Sequence, residues 1–194
     1  MSPQFSAAIG VIGFKAAGKD TLCRYLIDRH GFGMVSTGDL IRTIARRDGH
    51  PEPSTALLQD IGDRYRRESG DNGYWMHRLV EEARRRGIGR LVLNGIRNPV
   101  EVEALKQVLG RSLVLVGVVA PFVERARRFT ERFPEISTLE EFAVIDDRDR
   151  GVGEPPEGQQ VDRALASVPF ERVYLNTGSS DELYAWADTI VART

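Results

Sequence analysis

The sequence predicts an α/β fold, with a parallel five-stranded sheet and helices packed on both of its faces. Three observations lead there. Short apolar runs alternate with longer stretches of helical periodicity through the 194 residues, and strands joined through helices pair in parallel. Leu113 to Val119 is nearly all apolar, as a central strand covered on both sides must be. A glycine-bounded loop, Gly13 to Gly18, separates the first apolar run from the first helical one, and α/β sheets present ligands at the carboxyl ends of their strands.

Ala7 to Ile12 reads as a short buried strand ended by Gly13. Lys19 to His30 reads as a helix with Leu22, Cys23, Leu26 and Ile27 inward and Gly31 as its stop. Gly33 to Ser36 is a second strand, and Asp39 to Arg47 a helix with Asp39 as N-cap. The stretch Asp48 to Ser54 is a loop by its Pro and Gly content. Two helices follow near Ala56–Glu68 and Tyr74–Arg86, then a strand at Arg90–Asn94. Pro99 to Leu109 is a helix with Pro in its first turn. Beyond Val119, Phe122–Phe133 and Thr138–Asp147 read as helices and Gly151–Gly158 as a flexible loop. A short helix near Val161–Ser167, a last strand at Arg172–Leu175 and a helix at Ser180–Val191 complete the pattern. No repeat or linker marks off a second domain, so residues 1–194 read as one domain. Helical insertions at about 37–88 and about 122–160 follow strand ends and are placed to cover a site there.

Hydrophobic residues make up 41% and charged residues 28%, the balance of a globular chain. The formal net charge is −1, which offers no overall field for nucleic acid or an anionic membrane. Cys23 is the single cysteine; no internal disulfide can form, which fits a reducing cytoplasm. It reads as a small core residue rather than a nucleophile. Met1 to Ser6 lacks a basic stretch followed by a long apolar run, so no signal peptide is expected. His30, His50 and His77 are too far apart to suggest a metal site of their own. Lysine occurs only at 15, 19 and 106. A chain that otherwise uses arginine therefore puts two of its three lysines in one loop.

That loop, Gly13-Phe14-Lys15-Ala16-Ala17-Gly18-Lys19-Asp20-Thr21, matches the spacing G-x-x-x-x-G-K between a strand and a helix. Its glycines let successive backbone N–H groups turn inward on an anion, and the helix beginning near Lys19 adds its positive end. Lys19 can reach the β- and γ-phosphates of a nucleotide. Gly13, Lys15, Ala16, Ala17, Gly18, Lys19, Asp20 and Thr21 are the expected contacts to ATP. Asp20 occupies the position after the lysine that usually carries a hydroxyl, with Thr21 one place later. Asp20 either holds Mg²⁺ through water or caps the helix, and Thr21 stays a phosphate or metal contact.

Ser36-Thr37-Gly38-Asp39-Leu40-Ile41-Arg42 and Leu93-Asn94-Gly95-Ile96-Arg97-Asn98-Pro99 resemble the second- and third-strand segments of adenylate kinase-like P-loop nucleoside monophosphate kinases. Leu57 to Arg64 with Trp75, and Gly-Lys-Asp-Thr at 18–21, are similar to phage-type deoxynucleoside monophosphate kinases. The Asn94 to Val102 segment and Asp146-Asp147-Arg148-Asp149 look like dephospho-CoA kinase-like microbial proteins. The resemblance implies a P-loop fold with acceptor-binding and lid insertions. It places Thr37 and Asp39 at the acceptor, and Arg42 and Arg97 on its phosphate, where a planar guanidinium grips two oxygens at once. Asn94 departs from the acidic residue common at that strand end, where it organises the Mg²⁺ shell.

Arg125, Arg128 and Arg132 fall at helical spacing on one face. By the same resemblance they belong to a lid that closes over ATP, Arg128 serving catalysis with Lys19 and Arg97; ion pairing of a solvated helix to Glu124, Glu131 and Glu135 is the plainer alternative. Asn176 and Thr177, after the last strand, are adenine-contact candidates. The implied activity is Mg²⁺/ATP-dependent phosphorylation of a small phosphate-bearing acceptor, foremost a nucleoside monophosphate. A dephospho-CoA-like or other metabolite acceptor is the alternative, with Asp39 as base if that acceptor is an alcohol. A non-catalytic nucleotide sensor is a second class.

Overall fold

The computed structural model describes residues 5–71, 73–136, 138–156 and 158–194. Met1 to Gln4 and Glu157, which belong to the expected leader-free start and the flexible loop, lie outside them. The strands are β1 (Ala7–Ile12), β2 (Gly33–Ser36), β3 (Arg90–Ile96), β4 (Leu113–Val119) and β5 (Val173–Leu175). They form one sheet in the order β2-β3-β1-β4-β5, and every pairing is parallel. The helices are α1 (Lys19–His30), α2 (Thr37–Arg47), α3 (Thr55–Ser69), α4 (Tyr74–Arg85), α5 (Pro99–Leu109), α6 (Phe122–Arg132), α7 (Leu139–Arg150), α8 (Val161–Leu165) and α9 (Ser180–Val191).

Alternation along the strands divides the core in two. Ala8, Ile12, Leu91, Leu93 and Leu115 face one side, against Met76, Leu79, Val102 and Leu105 of α4 and α5. Ile9, Val11, Val92, Val116 and Val118 face the other, against Leu22, Leu26, Leu183 and Ile190 of α1 and α9. A separate small cluster of Ala126, Phe129 and Phe142 joins α6 to α7. Cys23 is buried in the α1 face, and burial pushes its thiol up to about 12, which leaves it unreactive at neutral pH.

Several boundaries differ from expectation, each for a local reason. Helix α2 starts at Thr37 with Ser36 at the N-cap, so Asp39 lies in the first turn and is not the cap. There its charge still suits the positive helix end. Helix α7 runs to Arg150 because Gly151, in the left-handed region at φ 94°, is its stop. Its start carries a full capping box between Thr138 and Glu141. Residues 170–172 form a 3₁₀ turn, so the last strand begins at Val173. Strand β3 extends to Ile96 through a bulge opposite Val11 and Ile12. Gly95 at the bulge has φ 98°, and a Cβ there would lie 3.0 Å from the Thr37 Cβ. A side chain at 95 would push α2 off the end of β3.

Candidate functional site

The loop between β1 and α1 turns where its sequence allows it to. A Cβ on Gly13 would lie 2.1 Å from the Val118 carbonyl oxygen, and one on Gly18 would lie 2.2 Å from Asn176 Nδ2. Ala16 sits in the left-handed region at φ 57°, strain that the surrounding contacts hold in place. Lys19 folds back over the loop and donates from Nζ to the Phe14 carbonyl at 2.6 Å. Asn176 pins the other side: its Nδ2 donates to the Ala17 carbonyl at 2.8 Å, while its own N–H donates to Val119. Its amide is thus committed to shaping the loop.

A cleft of about 920 Å³ opens over this loop at the carboxyl ends of the strands. Lys15, Ala16, Gly18, Lys19, Asp20 and Thr21 line one side of it. Thr37, Asp39 and Arg42 line it from α2, Asn94 from β3, Arg97 from just past β3, and Arg128 and Arg132 from α6. Arg42 pairs with Asp39 at 2.9 Å, one helical turn away and largely exposed. Arg128 donates to the Asn176 carbonyl at 3.2 Å, and Arg132 to Asp20 at 3.3 Å.

Arg125 does not join them. It is buried, donates to the Ala120 carbonyl at 3.1 Å, and forms a two-pronged pair with Asp146. Its guanidinium lies 4.8 Å from the Phe14 ring centre. This residue fastens α6 to α7 and to the back of the phosphate loop. Among the described residues Arg128 and Arg132 form no ion pair with Glu124, Glu131 or Glu135; Arg127 pairs with Glu124 and Glu131. Arg125→Ala is expected to destabilise the fold by about 3–5 kcal/mol, because it strands the Asp146 charge in the interior. Chemical denaturation checks this, and an unchanged midpoint contradicts it.

The residue that sequence reasoning left without a role is Asp149. Its side chain is wholly buried, and it accepts from Lys15 Nζ at 2.8 Å and from the Lys15 N–H at 3.2 Å. Arg97 also donates to it, and to Gln159 Oε1 at 3.0 Å. Burial alone would push the Asp149 carboxyl up; Arg97, Lys15 and Lys19 outweigh it and hold the group well below the usual carboxylate range. The chain after α7 closes around the same corner. The Gln160 N–H donates to the Arg97 carbonyl at 2.7 Å, and Asn98 Nδ2 donates to Pro156 and Gly158 carbonyls at 2.9 and 2.7 Å. Arg97 is thereby held from its backbone and from its side chain.

A second buried network ties α3 to α5 and α7. Arg66 pairs with Asp63 at 2.8 Å and Glu101 at 2.9 Å, and Glu101 accepts from the Arg97 N–H at 2.7 Å. Arg148 pairs with Asp60, Asp63 and Glu154.

Lys19 sits where charge is costly. Burial, with the nearby Arg97, lowers its pKa to about 8. The folded protein then releases this proton near pH 8 while the unfolded chain keeps it to about 10.5. The unfolded state therefore binds more protons in that window, and stability gains from this group as pH rises. Ligand- and metal-free wild type should gain stability relative to Lys19→Met between pH 8 and 10, measured by denaturant midpoint. A constant difference across that range contradicts the placement.

The parallel sheet and the glycine-bounded loop between β1 and α1 together make a P-loop fold. The chain belongs to the AAA_18 family, described as an AAA domain, whose model matches residues 9–143, and with it to the UPF0200 proteins. One of these, from Methanopyrus kandleri, is 33% identical over 174 residues, covering 86% of this chain and 82% of its own. Another, from Methanosarcina barkeri, is 26% identical over 158 residues, covering 79% of this chain and 83% of its own. Among solved structures, a gluconokinase from Sinorhizobium meliloti superposes with a TM-score of 0.52 at 13% identity, over 98% of this chain and 94% of that one. A shikimate kinase from Acinetobacter baumannii, solved with shikimate, gives 0.53 at 14% identity, over 96% and 93%. At such identities the likeness is one of fold.

Proposed function

We propose that this protein is an ATP-dependent phosphotransferase acting on a small phosphate-bearing acceptor, foremost a ribo- or deoxynucleoside monophosphate. The observation that carries this is that Lys19 and Arg97 line one cleft and share the buried Asp149 as a neighbour. Residues 1–194 act as one kinase domain, with about 37–88 receiving the acceptor and about 122–160 forming the lid. At about 920 Å³ the cleft stands near the upper end of small-molecule sites, roughly 300–1,000 Å³, which suits two ligands side by side.

In this reading Gly13 to Thr21 cradle the nucleotide phosphates through backbone N–H groups, and Lys19 neutralises the phosphoryl group in transit. Arg97, with Arg42, fixes the acceptor phosphate for in-line approach. Arg128 and Arg132 close from α6 and exclude water. An anionic acceptor needs no general base. Asp39, the base that an alcohol acceptor would call for, is paired with Arg42 at 2.9 Å in an exposed contact that an acceptor of either kind could open. The site's oxygen donors suit Mg²⁺. Asn94 Oδ1 is buried without a partner while its Nδ2 donates to Asp20 at 2.9 Å, so the amide oxygen is left to receive a bond from metal-bound water. Asp20 and Thr21 would hold the ion, partly through water. Among the described residues no cluster of three His, Cys, Asp or Glu side chains offers an alternative metal site. When bound, the ion would neutralise phosphate charge. No helix among the described residues is long and apolar enough to cross a membrane. With its single cysteine, the chain is read as acting in the cytoplasm.

The test is acceptor-dependent ADP release with Mg²⁺ and ATP across the ribo- and deoxynucleoside monophosphates and dephospho-CoA. Turnover on a nucleoside monophosphate supports the reading. Tight ATP binding with silence across the panel replaces it with a nucleotide sensor.

A further inference from the structure

Arg148, half-buried in the last turn of α7, stands where three parts of the site meet. Its Nη2 donates to Asp60 at 2.8 Å and to Asp63 at 2.9 Å, both on α3, and its Nε lies 3.1 Å from Glu154. The next residue, Asp149, takes Lys15 of the phosphate loop and the side chain of Arg97. Just before it, Asp146 holds Arg125 of α6. One end of α7 therefore reaches α3, the phosphate loop and α6.

The links close into a ring. Asp63 also accepts from Arg66 Nη1 at 2.8 Å, Arg66 pairs with Glu101 at 2.9 Å, and Glu101 accepts from the Arg97 N–H at 2.7 Å. The Arg97 side chain returns to α7 through Asp149. Asp63, Arg66 and Glu101 are buried, so each of these charges depends on its partners in the ring.

The apolar packing makes Arg148 the joint. Ile61 of α3 belongs to the cluster on the α4–α5 face of the sheet, whereas Phe142 and Ile145 of α7 belong to the cluster shared with α6. That cluster and the buried Arg125–Asp146 pair make α6 and α7 one body. Arg148 joins this body to α3 by charge, and an ionic contact that water reaches can part and re-form. Arg128 and Arg132 line the cleft from α6. Nucleotide phosphates meet these two cations when α6 and α7 are seated, so binding favours the seated arrangement. Arg148 passes that preference to α3, whose Leu58, Gln59 and Gly62 form part of the cleft wall.

We propose that Arg148 is a positioning residue: it ties α3 to α7, so that nucleotide phosphates on the loop order the acceptor wall before an acceptor arrives. This rests on the phosphotransferase reading and adds the regulation of its site, with nucleotide binding first and raising acceptor affinity. Arg148 acts through α3 and stands outside the cleft lining.

The experiment is amide hydrogen exchange, read by mass spectrometry, with and without the Mg²⁺ complex of a β,γ-imido ATP analogue. It compares wild type with Arg148→Met and Arg148→Gln. Both variants should fold, because Asp63 keeps Arg66 and Asp60 is open to solvent. In wild type the analogue should slow exchange at 13–21 and also in α3, residues 55–69, there by about 5-fold or more. Both variants should keep the response at 13–21 and lose the one at 55–69. An arginine that only stabilised α3 would, when replaced, speed its exchange equally with and without the analogue. An undiminished ratio at 55–69 in either variant therefore overturns the proposal. A wild-type response at 13–21 with none at 55–69 overturns it too, and leaves the phosphotransferase reading standing. No response at either place in wild type overturns that reading and the proposal together.

Discussion

Lys19→Ala is expected to lose phosphoryl transfer by roughly 10³-fold or more while keeping its fold. The magnitude follows from what the side chain is aimed at. A preorganised donor lost from a charge-stabilising site costs about 10²–10³ in rate, and a cation on a transferring phosphoryl group about 10³–10⁵. Lys19 is preorganised: it follows the last glycine of the loop, lines the cleft, and is held by the Phe14 carbonyl at 2.6 Å. Its depressed pKa, about 8, shows that the empty fold pays for holding the charge, and phosphate oxygens are the natural compensation. The fold should survive because truncation removes a costly charge and one hydrogen bond, not a core contact. The check is single-turnover transfer at saturating ATP, with the thermal midpoint measured alongside. Near-normal transfer in a folded variant sinks the kinase reading.

The sequence made the sheet and the phosphate loop legible because their signals are local. A strand of apolar residues, a glycine-bounded turn and a lysine at a helix start lie within fifteen residues or so of one another. Arg97 is proposed for the acceptor side through the resemblance of a short segment at a strand end. What stayed hidden depends on pairings between distant parts of the chain. Asp149 meets Lys15 across 134 residues and Arg97 across 52, separations that leave no periodicity to read. The Gly151 stop signal was the available clue: extending α7 to it makes Asp149 helical and brings the acidic run into view. Arg125 misled for the same reason. Helical spacing groups it with Arg128 and Arg132, but only the packing of α7, through Asp146, decides which face turns inward.

Asp149→Ala should lower the thermal midpoint by roughly 6–20 °C and cripple use of the acceptor. Three cations, Lys15, Lys19 and Arg97, converge on this carboxylate, and it is wholly enclosed. Removing it leaves like charges facing one another in the interior. Breaking a buried ion pair costs about 3–5 kcal/mol, and each kcal/mol moves the midpoint of a chain this size by about 2–4 °C. Because Asp149 also anchors the Arg97 side chain, kcat/KM for the acceptor should fall more than the affinity for ATP. Asp149→Asn, which keeps the shape without the charge, separates packing from electrostatics. In wild type the carboxyl is held below its ordinary value, so its stabilisation is complete above about pH 4 and is lost as pH falls toward the folded pKa. Asp149→Asn should therefore flatten the acid limb of the stability profile. A phosphate-bearing ligand brings back the missing negative charge. ATP should then raise the midpoint of Asp149→Asn by more than it raises that of wild type. Equal shifts would mean that Asp149 serves the packing of α7 alone and has no electrostatic tie to the phosphate site.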